Sequence, residues 1–84
     1  MNEQWFVYVI LCEDGSLYKG HTNNIERRYS QHCSGTGALH TKRHKPVKIV
    51  YTEQLSSLEE AVKREKYLKS GIGREWLKQQ IKEL

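Results

Sequence analysis

The chain has 84 residues, enough for one domain near the small end of what folds alone, with a single core. Hydrophobic residues make up 37% and charged residues of both signs 29%, which disfavours disorder. No apolar run is long enough for a signal peptide or a membrane span, and the net charge of +4 favours nucleic acid as the partner. The two cysteines, Cys12 and Cys33, form no CxxC pair, so we expect free thiols in a reducing cytoplasm.

A β-hairpin is predicted at the start of the chain. Residues 5–12 form an apolar, β-branched and aromatic run, typical of a strand buried on both faces. The Asp-Gly pair at 14–15 is a hairpin signal, so residues 17–21 should return antiparallel to the first strand. This pairing would bring the phenols of Tyr8 and Tyr18 close together.

A helix should follow the hairpin. Asn23 or Asn24 can cap it, and it should run to about Ser34, where a Gly-Thr-Gly segment stops it. One face of this helix carries the side chains with chemical interest and their apolar neighbours, which are Ile25, Arg28, Tyr29 and His32.

The middle of the chain predicts a basic loop over residues 38–46, with its tip at 42–45, and then a third strand over residues 47–54. Residues 57–60 (Ser-Leu-Glu-Glu) form a capping box that opens a second helix. That helix should end at Ser70, with Gly71 as a left-handed cap.

A last helix over residues 73–84 has Trp76, Leu77, Ile81 and Leu84 at helical spacing. The predicted order β-β-α-β-α-α makes the chain, residues 1–84, a single α+β domain with a small antiparallel sheet.

One carboxylate lies out of place on the second of these helices. Glu65 falls within an apolar stripe formed by Leu58, Ala61, Val62 and Leu68. A carboxylate on the core side must be paired, hydrogen-bonded or bound to a metal, because an unpaired buried charge is too costly. An ion pair with Arg28, a hydrogen bond to a tyrosine and metal ligation are the open interpretations.

Together these residues suit phosphodiester hydrolysis, which needs a base for water, positive charge on the phosphate and help for the leaving oxygen. Tyr8 or Tyr18 can act on the water, and Arg28 has a planar fork suited to phosphate oxygens. His32, one turn beyond Arg28, can relay a proton, and Glu65 can hold a hard cation such as Mg²⁺. Each residue alone also has a purely structural interpretation, so the hypothesis rests on their convergence.

Zinc binding is a separate possibility that the histidines raise. The spacing of His40 and His44 would suit two ligands, but no paired cysteines accompany them, so a structural zinc site is not expected.

The chain resembles the GIY-YIG nuclease superfamily, and in particular its small, single-domain, stand-alone bacterial members, over essentially its whole length. Residues 6–8 (Phe-Val-Tyr) stand where the family has Gly-Ile-Tyr, and residues 18–20 (Tyr-Lys-Gly) where it has Tyr-Ile-Gly. Arg28 and His32 match the family's Arg and the His four residues later. Residues 61–69 resemble the helix that carries the family's metal-binding glutamate.

The resemblance implies a three-stranded antiparallel sheet flanked by helices and one-metal cleavage of DNA. Tyr8 would be the general base, assisted by His32, and Tyr18 would orient the water or the phosphate. Arg28 would stabilise the phosphoryl charge, and Glu65 would bind the divalent cation, Mg²⁺ or Mn²⁺.

Two further positions and one missing residue type bear on the resemblance. Gly20 would allow the second strand to pack tightly, which is a structural role. Phe6 replaces the first glycine of the motif and adds bulk at the strand start without removing a catalytic group. Many family nucleases also carry an Asn after the glutamate helix, whereas residues 71–84 contain none.

The leading hypothesis is therefore a divalent-metal-dependent endonuclease that acts on structured or non-specific DNA, as a monomer without any cofactor besides the metal. Phosphate contacts are expected from Lys19 and from three residues of the basic loop, Lys42, Arg43 and Lys45, which could equally be solvated surface. The alternatives are a nucleic-acid-binding module with weak or no cleavage, and an interaction domain without a nucleic-acid role.

Overall fold

The protein folds around a three-stranded antiparallel sheet, in a computed structural model that describes residues 4–81. The strands are β1 (Trp5–Cys12), β2 (Leu17–Thr22) and β3 (Pro46–Leu55), arranged in the order β2-β1-β3. The apolar first strand takes the central place because both of its faces can be buried. Strand β2 is consequently an edge strand.

Four helices accompany the sheet: α1 (Ile25–Cys33), α2 (Leu39–Arg43), α3 (Leu58–Lys69) and α4 (Gly71–Gln80). The predicted α+β class and the antiparallel sheet flanked by helices are confirmed. The exception is α2, which forms where a basic loop was predicted. Its five residues show no apolar periodicity, so the sequence gives little indication of this helix.

The two faces of the sheet are covered by different helices. Alternate residues of a strand point to opposite faces, so Val7 and Val9 pack with Ala61, Leu68 and Leu77 of α3 and α4. On the other face, Tyr8, Ile10 and Cys12 form a second cluster with three partly buried side chains, which are Tyr18, Tyr29 and Ile49. The strand that carries Tyr8 is thus buried on both faces, as predicted.

Turns and caps follow local sequence rules in most places. Gly15 has φ +85°, the left-handed conformation that the tight β1–β2 turn needs and that glycine adopts without strain. The Asn24 side chain accepts from the backbone N–H of Arg27, and the Ser57 side chain accepts from Glu60 N–H. Both predicted N-caps are therefore present.

The connection between α3 and α4 differs from the prediction. Gly71 does not adopt a left-handed conformation, because α4 begins there directly after Ser70. Ser70 ends α3 and caps α4, where its hydroxyl accepts from the backbone N–H of Gly73. The tight junction requires Gly73, since a Cβ there would collide with the carbonyl of Tyr67. Leu84, predicted on the last helix, lies outside the described residues.

No helix within residues 4–81 has the length and apolar character needed to cross a bilayer. The longest, α3, has twelve residues, well short of the ~20 that a membrane-spanning helix needs.

Candidate active site

The hairpin brings the two predicted tyrosines together. Tyr8 pairs with Gly20 across the β1–β2 ladder, and Tyr18 lies one diagonal position away, with the ring centroids 6.3 Å apart. A Cβ at Gly20 would lie 2.5 Å from the Tyr8 hydroxyl oxygen. Gly20 therefore leaves the space that the Tyr8 phenol occupies, and any larger residue would displace it.

A chain of hydrogen bonds runs from Tyr8 into the protein. The Tyr8 hydroxyl lies 2.8 Å from His32 Nε2, and His32 Nδ1 lies 2.6 Å from Thr41 Oγ1. Thr41 Oγ1 donates its own proton to the carbonyl of Ala38 at 3.1 Å. Since the threonine proton is used there, Nδ1–H of His32 must donate to Thr41, and Nε2 is left as the acceptor for the Tyr8 proton. His32 is thereby held in one tautomer, facing the phenol.

The protonation states of this pair are set by burial. Burial raises the pKa of Tyr8 to about 12, which the Arg28 guanidinium opposes and the nearby Tyr18 and Glu65 reinforce. Burial, aided by the positive charge of Arg28, lowers the pKa of His32 to about 4. At neutral pH the free protein thus has a neutral phenol donating to a neutral imidazole.

Arg28 and His32 come from the same face of α1, as predicted. Arg28 is partly buried, and its Nη1 donates to Gln31 Oε1 at 2.9 Å. Among the described residues no carboxylate pairs with this guanidinium, and its charge influences both Tyr8 and His32.

Glu65 lies at the same site, but the apolar stripe from which its position was predicted is only partly present. Leu58 and Val62 are each 45% exposed, so they do not belong to it. Glu65 does share a face with Ala61 and Leu68, the buried residues of α3.

The partners of Glu65 also differ from those considered. Neither Arg28 nor a tyrosine binds it; His21 Nδ1 lies 2.7 Å from Oε1, and Lys69 Nζ donates to Oε2 at 2.7 Å. Burial opposes ionisation of Glu65, but these hydrogen bonds and charges outweigh it and lower its pKa. The carboxylate is therefore ionised at neutral pH, and its side chain is 18% exposed.

These groups line one open groove of about 510 Å³ at the edge strand β2. Tyr8, Tyr18, Arg28 and Glu65 all face it, whereas His32 lies buried behind Tyr8. Asn23 and Gln31 also line the groove. The site therefore has amides of its own, although none comes from the segment after the glutamate helix.

The donor set suits a cation that shares its ligands with a substrate. Mg²⁺ is usually held by one or two carboxylates together with water and substrate phosphates. Glu65 supplies one ionised carboxylate beside Arg28, in a groove open to solvent. Within residues 4–81 no cluster of three His, Cys, Asp or Glu side chains could hold a metal without such help.

The predicted phosphate-binding lysines and arginine lie elsewhere. Lys42, Arg43 and Lys45 are exposed, and none of them is among the described residues that line the groove. The segment instead contributes Thr41 behind His32. Lys19 follows Tyr18 on β2 and so points to the opposite face of the sheet, away from the phenols.

His40 and His44, from the segment predicted as a basic loop, contact the β1–β2 turn. His40 Nε2 lies 3.0 Å from Ser16 Oγ, and His44 Nδ1 lies 2.8 Å from Asp14 Oδ2. Their rings are 4.7 Å apart, and the ring of His40 is 5.8 Å from that of Tyr18. These contacts anchor α2 against the hairpin beside the groove.

Three residues of the site were not predicted from the sequence: Thr41, His21 and Gly37. Thr41 has no sequence signal, since it meets His32 only after the chain folds back. Gly37 makes this close approach possible, because a Cβ there would lie 2.6 Å from His32 Nδ1. His21 could have been found from strand alternation, which places it on the α3 side of the sheet.

Comparisons with known proteins give matches over most of the chain. The family model of the GIY-YIG catalytic domain matches residues 4–78. A UPF0213 protein of Staphylococcus haemolyticus is 46% identical over 65 residues, which cover 77% of this chain and 79% of that protein. One of Bacillus licheniformis is 48% identical over 68 residues, covering 81% and 69% of the two chains.

A solved structure is similar as well. The solution NMR structure of a UPF0213 protein from Bacillus halodurans has a TM-score of 0.54 and 38% sequence identity to this chain. The match covers 88% of this chain and 81% of that one, and it supports the antiparallel sheet with flanking helices.

Proposed function

Because the chain belongs to the GIY-YIG family of catalytic domains, we propose that it is a divalent-metal-dependent endonuclease that hydrolyses phosphodiester bonds, with DNA as the expected substrate. One observation carries the proposal: a hydrogen-bonded Tyr8–His32 pair, the Arg28 guanidinium and the Glu65 carboxylate converge on one open groove. Both thiols, Cys12 and Cys33, are free, which supports action in the cytoplasm, and we expect a monomer.

Tyr8 and His32 would together remove the proton from the attacking water. The phenol is neutral in the free protein, so it is not itself a phenolate base. A water in the groove can give its proton to Tyr8 Oη while Tyr8 gives its own proton to His32 Nε2. The water oxygen then attacks phosphorus, and the P–O bond opposite breaks with its electron pair on the departing oxygen. That oxygen takes a proton from solvent, to which the groove is open. Thr41 keeps the receiving nitrogen free of a proton beforehand.

Arg28 would bind the scissile phosphate and couple this binding to proton transfer. Its guanidinium can donate to two phosphate oxygens and stabilise the charge that builds up during attack. In the free protein burial lowers the pKa of His32, and the same charge lowers it further. A phosphate bound to Arg28 would offset that charge, so the pKa of His32 should rise when the substrate is in place.

Tyr18 and Glu65 would complete the site. Tyr18 lines the groove next to Tyr8 and would orient the water or a phosphate oxygen. Glu65 would hold the divalent cation, which when bound supplies positive charge to the phosphate. Its present partner Lys69 is an exposed side chain that can turn away at little cost.

Cleavage assays test the proposal directly. Supercoiled, branched and single-stranded DNA would be incubated with the protein, with Mg²⁺, with Mn²⁺ and with chelator. We expect metal-dependent cleavage that falls at least about a hundredfold in Glu65→Gln, Arg28→Ala and Tyr8→Phe, since each removes a group that acts on the transition state. Glu59→Gln, an exposed carboxylate on the same helix, is the matched control and should cut like the wild type. Cleavage that survives Glu65→Gln and Arg28→Ala would place the activity elsewhere.

A nucleic-acid-binding module without cleavage is the second candidate. It is favoured by the two nitrogen partners of Glu65, His21 and Lys69, which hold both oxygens of the carboxylate that a metal would need. In that case DNA binding would be salt-sensitive, no metal would promote nicking, and Glu65→Gln or Tyr8→Phe would leave the affinity unchanged.

A further inference from the structure

A second groove lies along the edge strand β2, on the opposite face of the sheet from the phenols. It has a volume of about 540 Å³, and Lys19, Arg74 and Lys78 surround its apolar floor of Leu17 and Leu77. No acidic side chain is among its described lining residues. We name these five residues the cation groove.

Among the described residues, few acidic groups neutralise the charges of the cation groove. Within residues 4–81, neither Lys19 nor Arg74 takes part in an ion pair, and Lys78 pairs only with the exposed Glu75, at 3.4 Å. Burial lowers the pKa of Lys19, and the positive charges of Arg74 and Lys69 lower it further. Bringing like charges together around a partly buried amine costs free energy that an anion would recover.

The cation groove lies next to the groove of the candidate active site, which we call the catalytic groove. Lys19 and Leu17 belong to the cation groove, and His21, two residues after Lys19 on the same strand, lines the catalytic groove. Two residues of a strand span about 7 Å. That distance is about two nucleotides of a B-form strand at its rise of roughly 3.4 Å per nucleotide.

We propose that the cation groove binds the backbone of the same nucleic-acid strand that is cut in the catalytic groove, a few nucleotides away from the scissile phosphate. The inference rests on the proposed function for its substrate. Three cations match the backbone phosphates, and the leucine floor offers apolar contact to the sugars and bases between them. The strand would follow the edge of β2 and turn around it, from the α1 side of the sheet to the α4 side.

The test compares Arg74→Ala/Lys78→Ala with Lys63→Ala/Lys66→Ala, a double variant that removes the same charge from exposed positions on α3. Lys19 is left unchanged because it lies between Tyr18 and Gly20. Binding of a labelled strand of about twelve nucleotides is measured by fluorescence anisotropy against salt, in chelator. We expect the groove variant to bind about tenfold more weakly at low salt, with a log–log salt slope smaller by about 1.4, which corresponds to two phosphates. The control variant should change the affinity less than about threefold.

The length of the ligand distinguishes a strand that runs along both grooves, which we call the strand track, from a nucleotide that binds in the cation groove alone. A dinucleotide that fills only the catalytic groove should bind both double variants equally, and a mononucleoside monophosphate should not compete selectively for the cation groove. Equal weakening by both double variants would reduce the effect to net charge and overturn the inference. Tight mononucleotide binding that is lost in Arg74→Ala/Lys78→Ala would also overturn it, in favour of a nucleotide site.

The two proposals fail separately. If the wild type never cleaves DNA but the groove variant alone loses affinity for the long strand, the nuclease proposal is wrong and the strand track stands. If metal-dependent cleavage occurs while the groove variant binds the long strand normally, the strand track is wrong and the nuclease proposal stands.

Discussion

At the scale of single residues, the orientation of His32 is the feature on which the proposed chemistry depends. A neutral histidine can present either nitrogen as the acceptor, and the two choices have opposite consequences for Tyr8. The Thr41 hydroxyl makes the choice, because its proton is committed to the Ala38 carbonyl. One buried hydroxyl therefore determines whether the phenol can pass its proton inward.

Replacing Thr41 by valine tests this dependence. Thr41→Val keeps the shape but leaves the buried Nδ1–H of His32 without an acceptor, so we expect a loss of about 1–3 kcal/mol in the free energy of unfolding. Thr41→Ser should restore most of it, and Thr52→Val, at an exposed position on β3, is the control. Urea unfolding gives the stabilities, and ¹⁵N NMR of the imidazole reports the tautomer. A Thr41→Val protein as stable as Thr52→Val, with an unchanged tautomer, would show that Thr41 does not position His32.

At the scale of elements, α3 has to be held in place for Glu65 to reach the groove. Arg64, the preceding residue, joins α3 to its neighbours. Its guanidinium lies 4.9 Å from the ring centroid of Tyr67 and 4.7 Å from that of Trp76 on α4. Its Nε lies 3.2 Å from the carboxylate of Glu53 on β3. One planar cation thus contacts two helices and the sheet.

Substitutions of Arg64 should therefore loosen this junction. Arg64→Ala should lower the free energy of unfolding by about 1–2 kcal/mol, through lost stacking and a weakened, partly exposed ion pair. Arg64→Lys should recover less than half of that loss, because an ammonium cannot stack as a guanidinium does. Thermal unfolding and Trp76 fluorescence are the measurements, with exposed Lys63→Ala as the control. Full recovery by lysine would mean that charge, not stacking, holds the junction.

At the scale of the whole molecule, the buried His32 makes folding sensitive to acid. Its pKa is about 4 in the folded protein, against an ordinary value of 6.5. Below pH 6.5 the histidine of the unfolded chain binds a proton, whereas His32 in the folded chain does not. The free energy of unfolding therefore decreases progressively as the pH falls from 6.5 towards 4.

Comparison with His32→Gln isolates this contribution. Between pH 6.5 and 4.5 the wild type should lose about 2 kcal/mol more than the variant, because glutamine does not titrate and the other ionisable groups are common to both. Urea unfolding at half-unit pH steps is the measurement. Parallel stability curves over this range would show that His32 titrates normally in the folded protein.

How far the sequence predicts the molecule depends on whether the information is local. The hairpin and the α1 face carrying Arg28 and His32 follow from periodicity and turn residues, and the structure has both, whereas the register that pairs Tyr8 with Gly20 was not predicted. Helix α2 and its Thr41 contact do not follow, because a short polar helix shows no periodic pattern and the contact is made only in the folded chain. Glu65 was predicted on the core side of its helix, which it shares with Ala61 and Leu68, but its partners were not predicted. Its contact with His21 depends on how α3 packs against β2.

The position of the candidate site at the edge strand β2 limits where further strands or domains can be added to the sheet. Side chains from both faces of the sheet meet at this edge, and Gly20 and His21 of β2 line the groove itself. A fourth strand paired to β2 would occupy the space in front of these residues. In the sheet formed by residues 4–81, β3 is the other edge strand, so a domain or partner chain added on the β3 side should leave the groove accessible.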